Sequence, residues 1–516
     1  MPQPRPIRFT LTDNSYVETL VLTFAPEGWD DMIVKWGRSE KYYGLLRSFT
    51  IPLKFVKDGR DFLKNSFYRY GVEADMDLLI EVTDESWTYE TWYRGKVDFS
   101  TYKDQEEWVE VNVIEGGLSA LVKANEDKVY QIGYTDMTPG VLRFALEDAE
   151  LEEYEGIKLM ELFTMLMDKL TDSAISTGTY AVKSDFLDSL DNLPTSAILA
   201  ITGKHFRKCQ AILKTSLSDF FQSLNGIWNI GMGVEIIDEV ETLVLEEKSY
   251  FFTDDPIATF DDVTALKISA ARQYVHNSIR GGYENHDYDY NVLPDGSYEC
   301  NTTVSFDIAI KKIKSEYDIV SRYRADWSGM YMASISSVGD PTVDYGEDDD
   351  IYIVQVYYTS NDTVTIKTGL VTNTNGSSAW KNTGLSPRRN ILRHTNYINS
   401  FTWNLAGLGT FGAGFLSGEK NEGENYVNGV AEYDYITLDN DPSLMLFKPF
   451  LIEFETPVDF TMMEIMATDG RGLVTVEYKG VTLQGFVVEI SASPRNQKKI
   501  NVVMLCNPQT DLLNLL

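Results

Sequence analysis

The sequence predicts a mainly β chain with an α+β middle and β-domains of one type, sandwich or barrel, at its two ends. Three observations carry this. Short β-prone runs occupy both ends of the chain, apolar spacing turns convincingly helical between residues 140 and 225, and residue patterns near the N-terminus recur near the C-terminus.

Within residues 8–135, four runs read as strands: Thr19–Phe24, Thr50–Val56, Asp77–Val82 and Glu107–Ile114, the last alternating most cleanly. Asp58-Gly59 and Arg94-Gly95 supply turn chemistry. In the middle, Gly156–Leu170 places Leu159, Leu162, Phe163, Leu166 and Leu170 on one helix side, and Ser184–Leu190 predicts a second helix.

The stretch Ala211–Phe252 reads as a packing unit. Leu213, Leu217, Phe220, Phe221 and Leu224 make one apolar stripe, and Ser216 with Asp219 forms a capping-box pattern at its start. Asn225-Gly226 predicts the stop, since both residues tolerate positive φ. Val234 and Ile236, a turn near Asp238-Glu239, and then Thr242, Val244 and Glu246 predict a hairpin. Asp262–Arg272 has helical spacing, and Tyr274–Gly281 reads as a strand entering a bend at Gly281-Gly282. Residues 331–440 are loop-rich, and residues 445–516 are β again, ending in Ile500–Leu505.

The recurrence is specific. Leu53-Lys-Phe55 followed by Asp61-Phe62 is matched by Ile452-Glu-Phe454 followed by Asp459-Phe460. Tyr93-Arg-Gly95 is matched by Tyr478-Lys-Gly480, each with a further strand, Val111–Val113 or Asn501–Val503, and a Leu-containing tail after it. The alternative is chance likeness between strands that share a period of two.

Composition narrows the function classes. The net charge of −33 repels phosphate backbones, which excludes tight nucleic-acid binding. Cys209, Cys300 and Cys506 are odd in number and far apart, so they define no disulfide framework. His205, His276, His286 and His394 are equally scattered, and a zinc site needs clustered ligands. Prolines at the start and the lack of an 18-residue apolar run predict a chain made in the cytoplasm without a membrane span.

The motifs are weak. Gly407-Leu-Gly409-Thr-Phe-Gly412 matches a dinucleotide-loop pattern, but the following Ala413–Asn425 carries no helix stripe, so a plain loop is favoured. Thr202–Lys208 is a basic cluster that lacks the glycine and hydroxyl of a phosphate loop and reads as a solvated face. His286–Asp289 and Glu347–Asp350 are carboxylate-rich but lack calcium-loop spacing, so they read as solvated acidic loops. Asn301-Thr-Thr303 fits a glycosylation acceptor that has no meaning without secretion. No residue is assigned a catalytic, cofactor-binding or metal-binding role, no cofactor is expected, and the chain is expected not to be an enzyme.

Taken in order, Ser216–Glu246, Tyr274–Tyr283, Phe24–Trp29, Trp36–Tyr43 and Arg388–His394 resemble bacteriophage tail-tip proteins, the baseplate or tail hub proteins, in the style of phages infecting Bacteroidota. That resemblance implies two tube-like β-domains at the chain ends with smaller domains inserted. The expected division is 1–138 (N-terminal β), 139–260 (α+β), 261–444 (mixed, loop-rich) and 445–516 (completing the second β-domain). It also implies a virion structural protein forming a ring with itself around the DNA channel, a trimer favoured over a hexamer or higher, in contact with other tail or baseplate proteins. The alternative is a carbohydrate- or receptor-binding module, supported by the aromatic content and by Trp380 and Trp403 in the loop-rich region.

Overall fold

The computed structural model describes residues 7–31, 34–48, 50–83, 88–133, 141–146, 153–191, 196–206, 209, 211–238, 240–284, 303–308, 310–325, 333, 348–358, 364–366, 385, 387–402, 416–418, 426–427, 430–431, 435–436, 444–457, 470–492 and 499–512. The N-terminal part contains β1 (Ile7–Asp13), β2 (Glu18–Val21), β3 (Val34–Arg38), β4 (Leu45–Ser48), β5 (Thr50–Val56), α1 (Lys57–Tyr70), β6 (Met76–Thr83), β7 (Tyr89–Asp104), β8 (Trp108–Glu115) and α2 (Leu118–Asn125). Six of these strands form one sheet in the order β2-β1-β6-β7-β8-β5. Its inner face follows the period of two, with Leu53 and Phe55, Leu78 and Ile80, and Val109, Val111 and Val113 all buried.

Two predicted turns lie inside regular elements. Asp58-Gly59 sits in the first turn of α1, where Asp58 accepts the Thr23 N–H at 2.9 Å. An acidic residue is favoured at a helix N-terminus, so the same dipeptide that reads as a turn also starts a helix. Arg94-Gly95 lies within β7, where Leu78 faces Gly95 across the ladder.

The middle contains β9 (Tyr130–Ile132), β10 (Val141–Leu146), β11 (Glu153–Lys158), α3 (Leu159–Leu170), β12 (Ala181–Lys183), α4 (Asp185–Asp191), β13 (Ser196–Thr202), α5 (Gly203–Phe206), β14 (Leu213–Thr215), α6 (Leu217–Trp228), β15 (Ile230–Ile237) and β16 (Val240–Glu247). The five predicted apolar residues of α3 are all buried. Three helices start on carboxylates from distant parts of the chain. Asp191 accepts from Leu159 and Met160 N–H, Glu246 from Asp185 and Phe186 N–H, and Glu241 from Leu118 N–H. Each carboxylate satisfies amides that the helix itself leaves unpaired.

The α6 unit has the predicted start: Ser216 caps it, accepting the Asp219 N–H at 3.0 Å. The helix ends one turn later than predicted, at Asn229, which adopts φ 57°, ψ 56°. Gly226 therefore lies inside the helix, and the reason is a close approach: an added Cβ would stand 2.5 Å from the Ile319 carbonyl oxygen. Leu217, Phe220, Phe221 and Leu224 are buried, with Phe220 stacked on Phe163 at 5.6 Å and Phe221 edge-on to Tyr42 at 4.8 Å. The hairpin β15–β16 turns near Asp238, which takes φ 50°.

The remaining elements are β17 (Pro256–Phe260), β18 (Thr264–Ala270), β19 (Ser278–Tyr283), β20 (Thr303–Asp307), β21 (Glu316–Ser321), β22 (Ile351–Tyr358), β23 (Val364–Ile366), α7 (Pro387–Arg393), α8 (Thr395–Thr402), four short strands β24–β27 between Leu416 and Ile436, then β28 (Phe450–Pro457), β29 (Leu473–Tyr478), β30 (Val481–Ala492) and β31 (Lys499–Cys506). β18 replaces the helix expected over Asp262–Arg272. It lies at the sheet margin beside β28, mostly exposed, so its apolar spacing records no buried face. Gly281-Gly282 continues β19 instead of bending it, because β19 packs against Ile391, 2.7 Å from a Cβ added at Gly281.

The second large sheet runs β17-β29-β30-β31-β28-β18, with the β3–β4 hairpin joined to β30. Its core order, β29-β30-β31-β28, repeats β6-β7-β8-β5 of the first sheet. In each, the first strand in sequence pairs with the last, and the long middle strand carries a register shift where it meets the following one. Leu53 and Phe55 face Val111 and Val109, as Ile452 and Phe454 face Met504 and Val502. The Leu/Ile-x-Phe part of the recurrence is thus structural. The Tyr-x-Gly part is not: Tyr93–Gly95 lies within β7, whereas Lys479 and Gly480 form the β29–β30 turn with φ 52° and 81°. Asp459-Phe460 lies outside the described residues. One continuous apolar core joins both sheets, with Phe55, Val97 and Trp36 in the same cluster as Phe454, Val487 and Ile490.

Strands cross the expected divisions, as the expectation that 445–516 completes a domain begun elsewhere requires. β3 and β4, from within 1–138, and β17 and β18, across the expected boundary at 260, belong to the second large sheet. β22 and β23, from within 261–444, close a barrel with β10, β11 and β13. Sheets recruit strands by edge pairing regardless of chain distance, so a cut along the sequence cannot follow them.

Candidate functional site

Two buried basic side chains organise the centre of the molecule. Arg38, at the end of β3, is 6% exposed and donates to four backbone carbonyls: Tyr43 and Phe251 at 2.7 Å, Val487 at 2.9 Å and Gly470 at 3.0 Å. Its guanidinium also lies over the Phe252 ring at 4.6 Å. Burial lowers its pKa to about 10, so it stays charged at neutral pH. The planar fork suits this role, because one side chain ties the β3–β4 hairpin, the segment after β16 and the second large sheet together.

Lys248, just after β16, is fully buried and makes no ion pair among the described residues. Its Nζ sits 3.9 Å from the Tyr43 ring centroid and 4.5 Å from that of Tyr397, and donates to Tyr317 Oη at 2.8 Å. Tyr317 Oη in turn lies 2.8 Å from His394 Nδ1. His276 packs against Tyr317 with ring centroids 5.3 Å apart. Burial pushes the Lys248 and His394 pKa values well below their usual ranges and lowers His276 to about 4, while Tyr317 and Tyr397 are pushed well up. Every shift favours the uncharged form.

A lysine of lowered pKa among tyrosines can serve as a nucleophile. Here Lys248 is fully buried and packed against Tyr43, Tyr317 and Tyr397. Those tyrosines floor an open cleft of about 550 Å³. The rim comes from the β3–β4 turn (Glu40, Lys41), the outer face of α6 (Gln222, Asn225), β19 (Arg280) and the region of β21 (Glu316, Asp318, Arg322). The helix stripe that buries Phe220 and Leu224 leaves Gln222 and Asn225 facing the cleft.

Of the motifs singled out in the sequence, those among the described residues do not converge here. His205, expected on a solvated basic face, is fully buried and accepts the Thr202 N–H through Nδ1 at 3.1 Å. Burial lowers its pKa to about 4. The run ending at Asp350 is only partly solvated: Asp348 is buried, its carbonyl accepts from Lys204 N–H, and Asp349 pairs with Lys214 at 3.2 Å. Glu347, His286–Asp289, Asn301-Thr302, Trp380, Trp403 and the glycine pattern at 407–412 lie outside the described residues. The cluster around Lys248 joins residues from 43 to 397, and no local spacing announces it.

Among the described residues, no group of three or more His, Cys, Asp and Glu side chains could hold a metal ion. No helix among them is long and apolar enough to cross a membrane. No family model and no curated protein matches the sequence. Among solved structures, three distant neighbours are found. The 43 kDa tail protein of prophage MuSo2 from Shewanella oneidensis is 8% identical, with TM-score 0.41 over 98% of this chain and 97% of that one. The prophage tail protein gp18 from Listeria monocytogenes EGD-e is 8% identical, with TM-score 0.35 over 98% and 97%. The tail protein from Neisseria meningitidis MC58 is 6% identical, with TM-score 0.38 over 97% and 96%. These neighbours are tail proteins. Likeness at this level leaves function to be argued from the chain's own geometry.

Proposed function

We propose that this chain is a non-enzymatic structural protein of a phage tail tip or baseplate, and that copies of it close into a ring around the DNA channel. One observation carries the reading: the same four-strand order at both ends of the chain, built into one continuous core. Two like units fixed in one chain give three chains six similar units, which suits a trimer in register with a six-fold tail.

Strand edges add to the ring reading. β8, the cleanly alternating strand, is interior, paired with β7 and β5. Among the described residues the first large sheet ends at β2 and β5 and the second at β17 and β18, and β2 and β18 are the pair taken here for the contact. A contact between β2 of one copy and β18 of the next joins unlike surfaces and closes under three-fold rotation, leaving neither edge free. The excess of 33 negative charges is to face the channel, where it keeps DNA from adhering.

Cross-linking in isolated tails tests this. Cysteine pairs placed on β2 and β18 are expected to give a ladder ending at three copies. Linkage only within one copy, or none in tails that contain the protein, refutes the ring.

A further inference from the structure

We infer that the cleft over the tyrosine cluster is a docking site for a short basic segment, bearing Arg or Lys, of a partner protein. The inference concerns the single chain and stands whether or not copies form a ring.

Two of the four carboxylates on the rim, Glu40 and Glu316, are unspent, while Asp318 and Glu284 pair with Arg280 and Arg322. The rim's cations are already engaged: Lys41 with Glu126 at 3.0 Å, Arg280 with Asp318 at 3.4 Å, and Arg322 with Asp219. Glu40 and Glu316 are exposed on the rim and make no ion pair among the described residues. A second observation is independent of these charges. Tyr274, 1% exposed, and Asn225 both line the cleft, and Tyr274 Oη and Asn225 Oδ1 are buried polar atoms with no hydrogen-bond partner. A guest rich in N–H donors and positive charge complements both carboxylates and offers donors to oxygens that have none.

Sugars fit poorly. Tyr43, Tyr317 and Tyr397 are engaged with one another and with Lys248, which leaves them poorly placed for flat stacking on a sugar. The cleft's volume suits a few residues of extended chain.

The test uses the full chain and a fluorescein-labelled peptide alternating Gly and Arg, with its citrulline counterpart as the uncharged probe, followed by anisotropy at physiological salt. The arginine peptide is expected to bind and the citrulline peptide to bind about tenfold more weakly or not at all. Glu40→Gln with Glu316→Gln should weaken arginine-peptide binding about tenfold, while the charge-matched pair Glu106→Gln with Glu107→Gln should change it less than about twofold. Tyr274→Phe, which keeps the ring, should weaken it about fivefold. Equal losses in the two glutamine pairs would reduce the effect to general attraction by an acidic protein and overturn the site. Equal binding of both peptides, or of neither, overturns it too. Spermine binding as tightly as the peptide, with the same dependence on Glu40 and Glu316, would replace the peptide by a free polyamine.

Discussion

Replacing Arg38 by Met keeps the length and apolar stem of the side chain and removes all of its donors. Four carbonyls then lose a charged partner: those of Tyr43, Phe251, Val487 and Gly470. Bonds to a charged group contribute about 1.5–3 kcal/mol each, and a buried acceptor left unsatisfied costs about 1–3 kcal/mol. Against this, the variant no longer holds a buried charge, and isosteric apolar replacements of buried ions recover about 1–4 kcal/mol. Carbonyls cannot be repacked as side chains can, so the losses win and a net destabilisation of about 3–5 kcal/mol is expected. The assay is urea unfolding, read as a fall in midpoint at unchanged slope. Hydrogen exchange should show the largest loss of protection in residues 34–48, which Arg38 ties to the second large sheet. Arg38→Lys should recover less than half, because an ammonium cannot reach four carbonyls spread around a planar fork. A midpoint for Arg38→Met within about 1 kcal/mol of the parent would refute the idea that this residue clips the chain ends together.

Phe221→Ala removes a buried ring edge-on to Tyr42 and is expected to cost about 3–5 kcal/mol in the same assay, unchanged stability contradicting its burial. Gly226→Ala should destabilise by about 1–3 kcal/mol although Ala is the better helix former, because its Cβ would meet the Ile319 carbonyl; a gain in stability would refute the close approach. Asp191 is buried beneath α3, and burial raises its pKa from 3.8 to about 6. A raised carboxyl pKa favours folding below the unfolded value and loses that contribution as pH rises through the folded one. The parent should therefore lose about 3 kcal/mol between pH 4 and 6 from this group, and Asp191→Asn should flatten that slope in pH-dependent unfolding. An unchanged slope would contradict it.

What could be read from the sequence follows from how local each cause is. β5 spans Thr50–Val56 as its alternation predicts, and the stripe of α3 and the Ser216 cap of α6 are short-range patterns with short-range causes. The misreadings have long-range causes. Gly226 looked like a helix stop, and β21 of the same chain made it a contact point. Asp262–Arg272 looked helical because β18 lies at an exposed margin where burial imposes no period of two. The recurrence between the ends was legible through Leu53, Phe55, Ile452 and Phe454, since those residues fill equivalent inward positions. Its Tyr-x-Gly half was coincidence. The cleft was not legible at all. Lys248, Tyr317, His394 and Tyr397 are ordinary residues in their own neighbourhoods, and only the packing of β21 and α8 against the segment after β16 brings them together.

The central claim, that two like units in one chain build a closed tail ring, is tested most directly by cryo-electron microscopy of intact tails carrying this protein. The account predicts three copies around the axis, their six four-strand units alternating N-terminal and C-terminal around the channel, with β2 of each copy against β18 of the next. A single isolated copy, a ring in which the two units do not alternate, or tails that assemble and eject DNA without the chain would contradict it.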